Sequence, residues 1–85
     1  MREVKYVVRD PLGVHARPAG QLVKTVSGFA SSVTLLCNGG TADAKRLMAV
    51  MRLSIKNGME MVFRIEGEDE AQVEPALKAF LERNL

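Results

Sequence analysis

The chain has 85 residues, 47% hydrophobic and 26% charged, with one histidine, one cysteine and a net charge of +2. That length gives one domain with a single core over residues 1–85, and the composition excludes a disordered chain. A lone cysteine, Cys37, excludes the disulfide framework of small secreted domains, no apolar run approaches the ~20 residues of a bilayer span, and "MREVKYVVRD" reads as no signal peptide, so a cytoplasmic protein without membrane insertion is expected.

The small net charge conceals a segregation. Residues 1–58 carry nine Lys/Arg against three Asp/Glu, and residues 59–85 carry three against seven. The basic part suits an acidic or anionic partner, although solvated charge segregated by chance explains it equally well at this level.

In chain order, Val4, Tyr6 and Val8 alternate with Lys5 and Arg9, the period-two signature of a half-buried strand ending at Asp10-Pro11. Ala19, Leu22, Val23, Val26 and Ala30 then recur at helical spacing, which predicts a helix over Ala16 to Ser27 stopped by Gly28. Val33, Leu35 and Cys37 form the next strand. Asn38-Gly39 turns it into a short strand over Gly40 to Ala44, because a type I′ turn needs positive φ at both central residues. The apolar cluster Leu47, Met48, Val50, Met51 and Leu53 predicts a short helix, and Asn57-Gly58 a further turn.

Met61, Phe63 and Ile65 mark a fourth strand, and Val73, Ala76, Leu77, Phe80 and Leu81 give a last helix its apolar stripe. Pro75 interrupts that stripe. An interior proline forfeits a backbone hydrogen bond at about 3 kcal/mol, so the helix is expected either to kink there or to begin later. The order β-α-β-β-α-β-α predicts an α+β domain with helices on one face of an antiparallel sheet.

His15 falls at the start of the first helix, where backbone N–H groups have no intrahelical partner. The amides of Ala16 and Arg17, with the positive end of the helix dipole, make an anion site, and Pro18 is tolerated there because its missing N–H would have been unsatisfied. Arg17 adds a charged fork that matches phosphate geometry. A neutral imidazole offers a nitrogen lone pair near neutral pH, and phosphoryl transfer asks mainly for positioning and charge stabilisation. His15 is therefore a candidate phosphoryl acceptor. An ordinary capping or surface histidine is the competing reading that local sequence leaves open. One histidine and one distant cysteine do not make a metal site, no G-x-S-x-G elbow is present, and no cofactor is expected.

"GVHARPAG" and "DAKRLMAVM" resemble the two motifs of the histidine-containing phosphocarrier (HPr) family, and the similarity runs over essentially the whole chain. The resemblance implies an open-faced β-sandwich, a four-stranded antiparallel sheet with three helices. It also implies that His15 accepts phosphate through Nδ1 from phosphorylated enzyme I and passes it to IIA domains of sugar transporters, with Arg17 and the helix amides balancing the charge. A monomer is expected. Leu47, Met48 and Met51 then become a candidate docking surface, since flexible thioethers suit a protein with several partners, while Val50 and Leu53 are core. Gly20, Gln21 and Lys24 complete the rim on the polar face of the first helix.

Two positions depart from the family pattern. Lys45-Arg46 stands where many members carry a serine after the lysine, placing two cations at a helix start against the dipole, and Ser54 stands where glycine is common. Arg46 is either an ordinary solvated residue or a contact for an acidic partner. Two alternatives accompany the sugar-uptake reading: a regulatory paralogue in a nitrogen-related or other dedicated relay, and a phosphate-free basic module for RNA. The latter is disfavoured, since only Tyr6 and Phe63 among the aromatics lie in strands, and no nucleic-acid partner is expected.

Overall fold

The period-two stretches become four strands in a computed structural model that describes residues 1–85: β1 (Arg2–Val7), β2 (Ser32–Cys37), β3 (Gly40–Asp43) and β4 (Glu60–Glu66). They form one antiparallel sheet in the order β1-β4-β2-β3, so the last strand in sequence sits between the first two. Val4 pairs with Phe63, Phe63 with Leu35, and Leu35 with Ala42, a row of buried side chains across one face. The opposite face carries Glu3, Lys5, Thr34, Val62 and Arg64 and stays open, as alternation along each strand requires.

Three helices close the buried face: α1 (Ala16–Ser27), α2 (Leu47–Met51) and α3 (Glu70–Asn84). Leu22 and Val26 of α1, Val50 of α2, and Val73, Leu77 and Leu81 of α3 join the strand residues in one core. α3 packs on β1 and β4, α1 packs against α3 and α2, and α2 packs on β3. No helix is long and apolar enough to cross a membrane.

One turn bears out the glycine pattern and one helix revises the expectation at Pro75. Asn38 and Gly39 have φ of 54° and 76°, the left-handed pair that the hairpin needs. α3 runs from Glu70 to Asn84 with Pro75 inside it, so of the two expected outcomes, a kink or a later start, the later start does not occur. Pro75 and Ala71, whose carbonyl loses its i+4 donor, both lie on the exposed side, where the freed oxygen is not sealed in the core. Asp69, just before α3, spends its carboxylate elsewhere: it accepts from the amides of Ala30 (2.8 Å) and Ser31 (2.9 Å) and from the Ser31 hydroxyl, tying α3 to the segment after α1. The Ser31 hydroxyl and the Ala30 amide hold the Asp69 carboxyl below its ordinary range.

Candidate functional site

The segment from Val8 to His15 is threaded through backbone bonds that leave it little freedom. The amides of Arg9 and Asp10 donate to the Leu85 carbonyl at 2.7 and 2.9 Å, and Val14 donates to the Ile55 carbonyl at 3.0 Å. Between them Asp10 closes a turn on itself: its Oδ1 accepts from the Leu12 amide and its carbonyl from the Gly13 amide, both at 2.9 Å. Gly13 has φ of 68° and is packed against the Ile55–Lys56 backbone, a place only glycine fills. The next residue but one, His15, is thereby delivered to the mouth of α1.

His15 occupies the cap position of α1, with extended backbone (φ −94°, ψ 179°) and its carbonyl accepting from Ala19 at 3.0 Å. Its side chain caps nothing. A serine or aspartate there would consume a first-turn N–H; here the amides of Ala16 and Arg17 make no hydrogen bond, Pro18 has none to offer, and no acidic residue lies in the first turn. Two free donors and the positive end of the helix dipole thus lie at the residues next to a half-exposed imidazole, and Arg17, two positions on, is exposed. The arrangement can stabilise a dianionic group carried on the ring.

One neighbour was absent from the sequence reading. Asp10 Oδ2 lies 3.7 Å from His15 Nε2, with the two side chains 23% and 41% exposed. The Asp10-Pro11 pair was legible as the end of the first strand, and an aspartate whose side chain accepts from the amide two residues on makes the usual Asx turn. That this turn brings the second oxygen to the histidine was not legible.

The second predicted group splits in two. Leu47 and Met48 are exposed at 41% and 65%, whereas Met51 is half-buried and packed on the core with Leu53, around a buried Val50. Met51 therefore anchors α2 more than it presents a surface. Arg46 stands exposed at the cap of α2 and shares an open cleft with Thr41, Asp43, Leu47, Met48 and Arg52. Lys45 does not oppose the α2 dipole as its position suggested: its ammonium donates to the Phe29 carbonyl at 2.8 Å, just past the end of α1, where a cation is favourable. Gly20 is half-buried on α1 with no atom within 4 Å of where a Cβ would sit, and Lys24 is exposed in its last turn.

An open-faced antiparallel sheet backed by three helices, with a single histidine at an uncapped helix mouth, defines the class of small α+β domains to which the chain belongs. A family model described as the PTS HPr component phosphorylation site matches residues 2–83. The phosphocarrier protein HPr of Lysinibacillus sphaericus is 41% identical over 81 residues, 95% of this chain and 92% of that one. Among solved structures, a histidine-containing phosphocarrier protein from Mycoplasma superposes with a TM-score of 0.93 at 33% identity, covering 96% of this chain and 93% of that one. Crh of Bacillus subtilis, a swapped dimer in its crystal, gives 0.76 at 33% identity over 100% and 98% of the two chains. The chain belongs to the HPr family, and its role is that of a phosphocarrier of the phosphotransferase system. A dedicated regulatory relay and a phosphate-free basic module are not favoured by these relatives.

Proposed function

We propose that His15 is the phosphoryl acceptor and that the domain of residues 1–85 acts as a monomeric, cytoplasmic relay from enzyme I to the IIA domains of sugar transporters. The supporting observation is the pair of unclaimed amides, Ala16 and Arg17, beside a half-exposed imidazole that caps nothing. In the forward step the Nδ1 lone pair forms the bond to phosphorus as the donor's bond breaks, the donor keeping its electron pair. The two amides and the Arg17 guanidinium carry the charge of the arriving group. Stabilisation has to stay moderate, because a phosphohistidine held too tightly would raise the barrier to the second transfer.

Partners dock around this mouth through Gly20 and Lys24 of α1, the exposed Leu47 and Met48 with Met51 behind them, and Arg46. An acidic partner surface is the match for Arg17, Lys24 and Arg46, and it finds no acidic residue in the first turn of either helix. No cofactor enters, since the phosphoryl group passes directly between partners. A two-stage experiment tests the relay: phosphoenolpyruvate and enzyme I charge the protein, and an added IIA domain then discharges it, both followed by intact-protein mass spectrometry. The expected result is one phosphate gained and then lost; a protein that takes up none, or keeps it in the presence of several IIA domains, contradicts the proposal.

A further inference from the structure

We infer that Asp10 is a positioning residue for His15, holding a proton on Nε2 so that Nδ1 keeps its lone pair and the phosphoryl group arrives and leaves without any proton movement. The inference rests on the reading of His15 as phosphoryl acceptor.

Asp10 is held on three sides. Its amide donates to Leu85, its carbonyl accepts from Gly13 and its Oδ1 accepts from Leu12, each at 2.9 Å. Only Oδ2 is left, and it faces His15 Nε2 at 3.7 Å. A carboxylate beside a ring nitrogen favours the tautomer with N–H at that nitrogen and disfavours a lone pair there. The nitrogen without a carboxylate beside it, Nδ1, is then the nucleophile.

The step balances without a base. The Nδ1 lone pair forms the N–P bond, the donor leaves with the electrons of its own bond, and the ring becomes a phosphorylated imidazolium whose Nε2–H stays opposite Asp10. In the second step the N–P electrons return to Nδ1 and a neutral imidazole departs. Asp10 offsets the ring's transient positive charge in both directions.

Substituting Asn separates charge from shape. In Asp10→Asn the amide oxygen keeps the Leu12 N–H, so the NH₂ group takes the place of Oδ2 and presents donors to Nε2. A lone pair is then favoured at Nε2 and the proton moves to Nδ1. A wrong tautomer costs about 10⁴-fold in a buried catalytic triad; with both groups here partly exposed and 3.7 Å apart, a loss on the order of tenfold is expected.

The test is ¹⁵N NMR of the unphosphorylated protein, with the initial rate of phosphorylation by phosphorylated enzyme I. The neutral ring of the parent should be mainly Nε2–H, Asp10→Asn should shift it toward Nδ1–H and slow charging about tenfold with little change in melting temperature, and Asp10→Ala should fall between. A parent ring that is mainly Nδ1–H overturns the inference, and that spectrum decides the matter even where the variants fold poorly. A slower Asp10→Asn with an unchanged tautomer also overturns it, because the loop's shape would then be responsible. Absence of phosphate on His15 in the parent would instead strike the phosphocarrier reading, which the tautomer spectrum does not depend on.

Discussion

The carbonyl of Ile55 accepts the amide of Val14 at 3.0 Å and lies against the α-carbon of Gly13, so the segment before the histidine is clasped to the loop that follows α2. A Cβ at Gly13 would meet that carbonyl and come within 2.8 Å of the Lys56 α-carbon, both of them backbone that cannot swing aside. Gly13→Ala is therefore expected to destabilise the fold by about 2–4 kcal/mol, the sum of a left-handed backbone penalty and forced overpacking. Urea denaturation checks this; a loss under about 0.5 kcal/mol would show that the turn relaxes freely.

Ser54 adopts φ of 51° just after α2, a conformation that costs a side-chain-bearing residue about 1–2 kcal/mol. Ser54→Gly relieves that strain and gives back part of it as chain entropy in the unfolded state. A net gain of about 0.5–1 kcal/mol follows, visible as a higher melting temperature. An unchanged or lower value would mean that the serine conformation is not strained.

Asp69 sets the acid limit of the link between α3 and the segment after α1. Its folded carboxyl lies below the ordinary range, first because of the Ser31 hydroxyl. The unfolded chain therefore binds the proton more readily, and the contribution to stability is complete above the unfolded carboxyl's ordinary pKa and is lost as pH falls through the lower folded value. Asp69→Asn should be less stable than the parent at neutral pH, with the difference shrinking in acid. Parallel stability curves for the two proteins would contradict this.

Met48, at 65% exposed, packs on nothing that folding requires. Met48→Asp should leave stability within about 0.5 kcal/mol of the parent, yet weaken coupling to enzyme I and to IIA domains about tenfold by placing a charge in an apolar contact. Calorimetry and transfer kinetics separate the two. A variant that unfolds would place Met48 in the core.

Local signals were legible where one short segment contains the whole cause. The bounds of α1 match the expected Ala16 to Ser27, although Ala30 of the predicted stripe falls outside the helix and Gly28 ends it with a right-handed backbone (φ −73°) instead of a left-handed cap, and the Asn38-Gly39 turn follows from two positive φ angles. Signals that depend on a distant neighbour were not. Lys45 looked like a cation opposing the start of α2 because Phe29, 16 residues away, is invisible in its local sequence. Pro75 pointed to a kink or a later start because the exposed face it occupies is settled by the packing of α3 and not by the stripe alone. Met51 looked equivalent to Met48, but one turn of a five-residue helix leaves Met48 exposed and Met51 half-buried against the core. Asp10 was legible only as the end of a strand, and it is the folded loop that brings its free oxygen within 3.7 Å of His15.

The central claim is that the phosphoryl group is carried on His15. Phosphoenolpyruvate and enzyme I should place one phosphate on the parent, stable in base and released in acid, with a ³¹P–¹⁵N coupling to His15 Nδ1, while His15→Ala folds and takes up none. A phosphate retained in His15→Ala, or one that survives acid as a hydroxyl ester does, would contradict the account.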